Sequence, residues 1–317
     1  MNRYRILAAL LFFLFLTGCA GQQAPTPSPS PSANPISFTD DLDRMLSIPP
    51  PQRVAALIGS FADIWCVAGG HDTLVAAAGD AWTSFDLGLD DTTADLGAIK
   101  QPNVERLLAA QPDLVLGSCN TTADLELQDL LEQAGIPVAY FDVQTLDDYL
   151  RMLEICTRLT GQTERFTQYG TEVQAQAERA MARQKGWEPP TVLCIRATGS
   201  SCKVKGSQDN VLGEMLAGLG CLNIADGDNS LLESLSLEAI IAADPDYIFA
   251  VLQGADSTAA QATLEAALLS NPAWGTLRAV QNGQFYTLDH KLYNLKPNAR
   301  WGEAYEKLAD LLYPEES

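Results

Sequence analysis

Basic residues are scarce in this chain of 317 residues, in which 20 lysines and arginines stand against 40 acidic residues and give a formal net charge of −20. No basic run offers the phosphate-neutralising surplus that nucleic-acid binding needs, and an anionic membrane surface would repel the protein. We therefore expect no nucleic-acid partner. The net charge is compatible with partners that have neutral or cationic surfaces. It is also compatible with a ligand in a local pocket, because the net charge of the chain does not report the charge of one pocket.

Motifs for common enzyme and metal chemistry are missing as well. The chain has no Gly-x-Ser-x-Gly elbow, no phosphate-binding loop and no dinucleotide fingerprint, and its two histidines leave little material for a histidine-based triad. The cysteine spacing matches no zinc motif, and a site for free zinc or manganese usually needs several histidines. An enzyme built on α/β lobes is therefore disfavoured, and no catalytic or metal-ligating residue is assigned.

Cysteines are few and scattered. Six of them follow the leader region, namely Cys66, Cys119, Cys156, Cys194, Cys202 and Cys221. An exported protein permits disulfides, but scattered positions in a large domain are equally consistent with buried free thiols. The sequence leaves both alternatives open.

The N-terminus has the pattern of an export leader. Two arginines precede an apolar run from Ile6 to Leu16, which is too short to cross a bilayer. The stretch Leu16-Thr17-Gly18-Cys19 resembles a bacterial lipobox, which implies that residues 1–18 are a signal peptide and that Cys19 becomes an acylated N-terminus. The protein would then be held by lipid to the outer face of the cell membrane. An ordinary secretory signal with an incidental cysteine is the alternative.

Residues 19–52 are interpreted as a tether and a leading segment. The proline- and serine-rich stretch from Ala24 to Pro35 can form neither helix nor sheet, so we expect a semi-extended polar spacer. From Asn34 to Gln52 we expect an irregular conformation. A lipid-anchored protein needs a spacer of this kind between its anchor and its folded part.

The rest of the chain alternates between predicted strands and helices. The strands are Arg53–Ile58, Leu74–Ala78, Asp113–Gly117 and Pro137–Asp142, then Thr191–Arg196, Asn223–Ile224, Tyr247–Leu252 and Gln284–Leu288. Such alternation with short connections predicts α/β lobes, each with a mainly parallel sheet flanked by helices. We place the N-terminal lobe at residues 53–161 and the C-terminal lobe at residues 187–317.

An internal repeat supports two lobes. Val104 to Gly117 aligns without gaps with Leu237 to Ala250, and five positions are identical. Each copy reads as a short helix, a Pro-Asp stop and a strand. Between the copies, Gln162 to Lys185 predicts one uninterrupted amphipathic helix with Thr163 as its N-cap, about 36 Å long. We therefore predict one long, rigid helix that joins the lobes, within residues 162–186.

Several short stretches carry a resemblance to a known family. They are the two repeat copies, Gly135-Ile136-Pro137-Val138, Gly220-Cys221-Leu222-Asn223-Ile224, Asn271-Pro272-Ala273-Trp274 and Gln281-Asn282-Gly283-Gln284-Phe285-Tyr286. With them the chain resembles the substrate-binding lipoproteins of ABC importers, in the class that handles ferric siderophores, haem and cobalamin. The resemblance implies a monomer without an intrinsic cofactor that captures a metal chelate between its lobes and delivers it to a membrane permease. A surface lipoprotein with an adhesion or scaffold role is the alternative.

In this family, one acidic residue on each lobe docks against arginines of the permease. The positions that match are Glu105 and Glu238, one in each copy of the repeat. A carboxylate early in a short helix is exposed, and two of them on a rigid frame would make a plug of fixed spacing. The alternative is that each carboxylate only complements the positive end of its own helix.

Ligand candidates follow from the rule that paired α/β lobes bind at the carboxyl ends of their strands. The candidates are Trp65, Trp82 and Asn120 in the first lobe, and Arg196, Lys203, Asn229, Gln253, His290, Tyr293 and Lys296 in the second. A cationic cleft in an acidic protein would suit an anionic chelate or the carboxylates of a tetrapyrrole. Axial ligation of haem or cobalt by His290 is left open against a surface role.

Overall fold

The computed structural model describes residues 34–208, 210–227, 229–233, 235–254 and 257–314, without the side chain of Asn229. The predicted signal peptide and the lipidation site Cys19 lie outside these residues. Within the described ranges, no helix has both the length and the apolar character needed to cross a membrane.

The first ordered element is a β-hairpin formed by β1 (Ile36–Thr39) and β2 (Met45–Ile48). Its turn contains Asp43 at φ 59° and lies beside the N-terminal lobe, where the Asp41 N–H donates to the Tyr140 carbonyl at 2.9 Å. The irregular conformation expected from Asn34 to Gln52 is therefore wrong for the hairpin residues. The two strands have only four residues each and flank a polar turn, so the sequence pattern did not indicate them.

The N-terminal lobe holds a five-stranded parallel sheet with the order β5-β4-β3-β6-β7. Its strands are β3 (Val54–Ala56), β4 (Leu74–Ala77), β5 (Ala94–Asp95), β6 (Leu114–Ser118) and β7 (Val138–Phe141). Its helices are α1 (Gly59–Val67), α2 (Asp80–Thr83), α3 (Val104–Ala109), α4 (Thr122–Glu126), α5 (Gln128–Gln133) and α6 (Leu146–Thr160).

The C-terminal lobe also holds a five-stranded sheet, in which β10-β8-β11-β12 run parallel and β9 pairs antiparallel with β8. The strands are β8 (Thr191–Ala197), β9 (Cys202–Lys205), β10 (Leu222–Asn223), β11 (Tyr247–Leu252) and β12 (Phe285–Leu288). After α7 (Glu172–Ala182), the helices are α8 (Val211–Gly218), α9 (Asn229–Glu233), α10 (Leu237–Ala243), α11 (Ser257–Leu264), α12 (Arg278–Gln281), α13 (His290–Tyr293) and α14 (Trp301–Leu312).

Strand residues divide between the two faces of each sheet with a period of two. In β6, Leu114 and Leu116 belong to a core that extends through both lobes, while Val115 packs into a second core on the other face. In β11, Phe249 faces the shared core and Ile248 a third one. Both faces of each sheet are thus buried, as parallel sheets require. The predicted α/β fold with two lobes is confirmed.

The internal repeat is visible in the backbone. The helices α3 and α10 are followed by Gln111 at φ 48° and Asp244 at φ 41°, the equivalent positions before the two prolines. Positive φ is uncommon for such residues. Because the same unusual turn recurs at aligned positions, the two lobes share one helix-turn-strand unit.

The aspartate after each proline also has the same role in both lobes. The Asp113 carboxylate accepts the backbone N–H of Arg53 at 3.0 Å, and the Asp246 carboxylate accepts that of Thr191 at 2.9 Å. Each thereby fixes the start of the neighbouring central strand. The identity of the Pro-Asp pair in the two copies is explained by this contact.

One long helix joins the lobes, as predicted, and it runs without a break over residues 165–182, but the expectation of regular α-helix throughout is wrong. The segment from Thr167 to Thr171 is a π-helical turn, in which the Glu172 N–H donates to the Thr167 carbonyl, and regular α-helix resumes in α7. The Tyr149 hydroxyl donates to the Tyr169 carbonyl at 2.7 Å, which gives this carbonyl a partner outside the helix. Such single wide turns often interrupt α-helices.

Two sets of contacts anchor the helical segment on either side of the π-turn. Before it, Arg165 Nε donates to the Val67 carbonyl at 2.6 Å, at the end of α1. After it, Gln176 donates to Glu306 of α14 at 2.6 Å. The segment is therefore clamped to both lobes and sets the distance between them.

A buried asparagine provides a second link between the lobes. Asn298 is fully buried at φ 51°, just before α14, and its amide donates to the Ser60 carbonyl at 2.9 Å and to Asp63 Oδ2 at 2.7 Å. Both acceptors lie in α1 of the N-terminal lobe. Burial raises the pKa of Asp63, which the hydrogen bond from Asn298 partly offsets.

Candidate ligand-binding cleft

A cavity of about 390 Å³ lies between the lobes. Its walls are formed by Asn120, Val143 and Gln144 from the N-terminal lobe, and by Cys194, Ile195, Arg196, Lys205, Asn210, Val211, Leu212, Val251, Tyr293, Asn294 and Lys296 from the C-terminal part. The volume is within the usual range for small-molecule pockets. It is the best candidate for the functional site.

Strand ends bring the two walls together. Asn120 lies two residues beyond β6, and Val143 and Gln144 follow β7. On the other side, Arg196 and Val251 lie near the carboxyl ends of β8 and β11. These are the sheet edges where parallel α/β structures place their ligands.

The C-terminal wall is cationic. Lys205 of β9 pairs with Cys194 of β8, and Arg196 lies two residues further along β8. Within the part of the chain that the structure describes, the Arg196 guanidinium makes no ion pair and no hydrogen bond. The N-terminus of α8, where Asn210 accepts the Gly213 N–H at 2.9 Å, lies beside them and adds positive potential.

Lys296 contributes a third cation from the segment between α13 and α14. Burial lowers the pKa of Lys296, and the carboxylates of Asp142 and Asp80 oppose this shift. Neither carboxylate reaches ion-pair distance, and among the described residues the charged nitrogen lies only over the Phe61 ring, at 6.0 Å from its centroid. A half-buried cation without a close counter-ion is costly, so an anion bound here would relieve the cost.

The N-terminal wall has a different character. The Asn120 side chain donates to Asp142 Oδ1 at 2.5 Å, and the Gln144 side chain donates to Asp142 Oδ2 at 3.5 Å. Two amides therefore flank one carboxylate at this edge of the cavity. The lining groups on this side are the two neutral amides, and the Asp142 carboxylate that they contact is not among the lining residues.

Apolar side chains and one tyrosine complete the cavity. Val143, Val211, Leu212 and Val251 supply aliphatic surface. Tyr293 is only 4% exposed, its hydroxyl donates to the Ala304 carbonyl at 3.1 Å, and burial raises its pKa above the ordinary value. Its phenol is already engaged, so its ring rather than its oxygen faces the site.

Four of the ten predicted ligand residues line the cavity, namely Asn120, Arg196, Tyr293 and Lys296. Trp65 does not, because its side chain is 0% exposed in the core and its indole donates to Thr73 Oγ1 at 3.0 Å. Its position near the first helix suggested that Trp65 lines the cleft, but the side chain packs into the core instead.

The remaining predicted residues lie elsewhere. Trp82 lines separate surface depressions of the N-terminal lobe, and Lys203 lines a depression that adjoins the cavity along β9. Gln253 and His290 are half-buried but do not line the cavity. The side chain of Asn229 lies outside the described atoms.

The sequence reasoning missed several lining residues, among them Val143, Gln144 and Asn210. Gln144 lies three positions after the carboxyl end of the buried strand β7, and a position just after a strand is the signal that selected Asn120. Asn210 precedes a helix that begins with apolar residues, a pattern typical of an N-cap. Both signals were present, but neither residue type is chemically distinctive.

The docking candidates have the expected exposure. Glu105 and Glu238 are exposed in the first turns of α3 and α10, one on each lobe. In the described part of the chain neither is in an ion pair. Their N-caps, Asn103 and Ser236, already bind backbone N–H groups of the first turn.

The thiols and the acidic side chains provide no metal centre within the described ranges. The six cysteines there are free, and burial raises the pKa of Cys66 and Cys221 to about 12. In the same ranges, no group of three or more His, Cys, Asp or Glu side chains could hold a metal ion.

Two α/β lobes that are joined by a helix and enclose a polar cavity are the architecture of a ligand-binding protein. Residues 54–292 match the family model described as Periplasmic binding protein, and the chain belongs to this family. The resemblance inferred from the sequence motifs, and the expectation of a substrate-binding protein rather than an enzyme, are thereby confirmed.

Individual relatives support the assignment. The putative ABC transporter substrate-binding lipoprotein YhfQ of Bacillus subtilis is 21% identical over 92% of this chain and 91% of its own length. The Fe(3+)-citrate-binding protein YfmC of the same organism is 26% identical over 88% of this chain and 87% of its own.

Solved structures share the fold. IsdE of Staphylococcus aureus, solved with haem, has a TM-score of 0.68 at 17% identity and covers 82% of this chain and 98% of its own. SirA of the same organism, solved with staphyloferrin B, has a TM-score of 0.64 at 22% identity, over 88% of this chain and 97% of its own.

Proposed function

We propose that this protein is the substrate-binding component of an ABC importer and that it captures an anionic ferric chelate of the carboxylate type. The observation that carries the proposal is the cluster of Arg196, Lys205 and Lys296 around one cavity, in a chain whose net charge is −20. Basic side chains concentrated at one site of an acidic protein attract an anion there and recognise its carboxylates.

The relatives point the same way. One binds ferric citrate, and a vitamin B12-binding protein of Pectobacterium carotovorum is 26% identical over 62% of this chain and 70% of its own length. Metal chelates are thus the ligands of two proteins to which the chain is similar. The cavity chemistry is what favours a carboxylate chelate among them.

A chelate that brings its own iron ligands fits this cavity better than haem. Haem needs an axial ligand such as histidine, cysteine or tyrosine. Of the described lining residues, Tyr293 uses its hydroxyl for the Ala304 carbonyl, and Cys194 is buried so that its thiol pKa is raised. His290 does not line the site. Iron that is already saturated by carboxylates needs none of these groups.

The cavity volume also favours a compact ligand. At about 390 Å³ it is near the lower end of the range of roughly 300–1,000 Å³ for ligand pockets. A corrinoid with its nucleotide loop would have to lie largely outside such a space. A small ferric hydroxycarboxylate complex can be enclosed.

Delivery to the membrane is part of the proposal. Cys19 would carry the lipid that keeps the protein at the outer face of the membrane, and Glu105 and Glu238 would dock on the permease. Loss of the acylated cysteine should release the protein, so Cys19→Ser material is expected in the soluble fraction after cell lysis. Quantitative recovery with membranes would contradict the anchor.

A ligand panel tests the binding function. Thermal unfolding of the purified protein is followed with ferric citrate, haem and cobalamin, each at a large excess. A ligand at 100 times its Kd stabilises the folded state by about 2.7 kcal/mol, which shifts the melting temperature by several degrees. We expect the shift with ferric citrate. A shift with haem or cobalamin alone would refute the carboxylate class, and no shift at all would refute the chelate class.

A further inference from the structure

A second depression adjoins the cavity along β9. Arg196 and Lys205 line both, whereas Lys203 lines only the depression. The depression has a volume of about 600 Å³, which is enough space for any ligand that fits the cavity of about 390 Å³. Lys203 is exposed, and Arg196 and Lys205 are half-buried. Basic side chains therefore lead from the solvent to the cavity.

The strand register places these three cations on one face of the sheet. β9 is antiparallel to β8, with Lys203 directly opposite Arg196. Directly opposed residues share a face, and so do residues two positions apart in one strand, which adds Lys205 to the same face. The next pair along the strands, Ile195 and Val204, packs into the core on the other face. Arg196, Lys203 and Lys205 thus form one basic row.

The basic row does not stabilise the fold. Two cations directly opposite each other on neighbouring strands repel. Among the described residues, neither the Arg196 nor the Lys203 side chain has a hydrogen bond or an ion pair. The one carboxylate in the described lining of the depression, Asp226, accepts the Ser207 N–H at 2.8 Å. This repulsion is explained if the row acts on an anion that comes from solution.

An anionic ligand needs such help to approach this protein. At a net charge of −20 the chain repels anions at long range, and the cations of the cavity wall are only half-exposed. An exposed cation beside the cavity lowers the repulsion along one path of approach. Charges at the rim of a site act mainly on the association rate and its salt dependence.

We propose that the basic row is an electrostatic entry path, in which Lys203 attracts the anionic chelate into the depression and Arg196 and Lys205 then bind it in the cavity. The inference rests on the proposed function, since it assigns the route by which the same site captures its ligand. Because Lys203 does not line the cavity, it sets the association rate constant and leaves the dissociation rate constant to the cavity.

Stopped-flow mixing of the purified protein with ferric citrate tests the inference, with quenching of tryptophan fluorescence by the bound complex as the signal. Both rate constants are measured for the unaltered protein and Lys203→Met. The Debye length is about 30 Å in about 10 mM sodium chloride and about 3 Å in about 1 M, so Lys203 acts at a distance only in the first buffer. We expect Lys203→Met to associate at least about threefold more slowly at low salt and equally fast at high salt, with an unchanged dissociation rate constant.

Lys185→Met is the matched control. Lys185 is also exposed, and it lies between α7 and the amino end of β8, whereas the basic row is near the carboxyl end. Its replacement makes the same change in net charge and should leave both rate constants unchanged. An equal loss of association rate in the two variants would mean that net charge alone governs the approach, and would overturn the inference.

The remaining outcomes separate this inference from the proposed function. Ferric citrate that binds to the unaltered protein and associates with Lys203→Met at the normal rate at low salt overturns the inference and leaves chelate binding standing. The same holds if Lys203→Met loses affinity through faster dissociation, because Lys203 would then contact the bound ligand. Absence of binding to the unaltered protein overturns both.

Discussion

Asp124 is a buried carboxyl group whose replacement should change the pH dependence of stability. Its side chain is 0% exposed, and burial raises its pKa to about 7, although the backbone N–H of Ser118 donates to Oδ2 at 2.8 Å. The other oxygen has no hydrogen-bond partner. The group supports the turn from Ser118 to Asn120, which forms part of the cavity.

The magnitude follows from the two pKa values. The pKa of an unfolded aspartate is near 3.9, so the pKa of Asp124 is higher in the folded state by about 3. At about 1.4 kcal/mol per unit the linkage amounts to about 4 kcal/mol. Because the folded pKa is raised, this stability is complete below about pH 4 and is lost as pH rises through 7.

The assay compares the unaltered protein with Asp124→Asn, which resembles the protonated group at every pH. Urea unfolding at intervals from pH 4.5 to 8 gives the free energy of unfolding of each. Between pH 5 and pH 7 the unaltered protein should lose about 2 kcal/mol relative to the variant. Asp129→Asn, which is exposed, serves as the control and should track the unaltered protein. Parallel curves for Asp124→Asn and the unaltered protein would refute the reasoning.

Three further predictions concern the docking surface and the frame. The double change Glu105→Ala/Glu238→Ala should abolish cellular uptake of the chelate while its Kd stays unchanged, and normal uptake would exclude the docking role. Asn298→Ala removes the donor to Ser60 and Asp63, so the free energy of unfolding in urea should fall by about 2–3 kcal/mol; a change below 0.5 kcal/mol would show that this link is unimportant. X-ray scattering should detect little change in the radius of gyration on ligand addition, since both ends of the interlobe helix are clamped, and a large closure would contradict the rigid frame.

Alternation of apolar strands with helices was sufficient to predict the two lobes, because burial on both faces leaves a simple pattern of short apolar runs. The repeat was also predictable, since Pro112-Asp113 and Pro245-Asp246 each perform a local task that needs those residue types. The π-turn at Thr167–Thr171 was not. It depends on tertiary contacts, including the hydroxyl of Tyr149 from another helix, which no periodicity in the segment reports.

The candidate site was predicted only in part, for a related reason. Chain position near the end of a strand selected Asn120 and Arg196, which both line the cavity, since the carboxyl ends of parallel strands converge. It could not tell which side chains face the cavity and which face the core, so Trp65 was assigned to the wrong environment. The contacts of Asp142 with Asn120 and Gln144 could not be predicted either, because no sequence pattern links Asp142 to a residue 22 positions away.

The central claim is that the cations of the interlobe cavity capture an anionic ferric chelate. Calorimetric titration with ferric citrate of the unaltered protein, Arg196→Met and Arg179→Met tests it most directly, since Arg179 is exposed on α7 and matches the change in charge and size. Loss of a charge-assisted hydrogen bond costs about 1.5–3 kcal/mol, so Arg196→Met should weaken binding by roughly 10- to 150-fold. Arg179→Met should bind normally. Equal affinity in all three proteins, or no binding in the unaltered one, would contradict the claim.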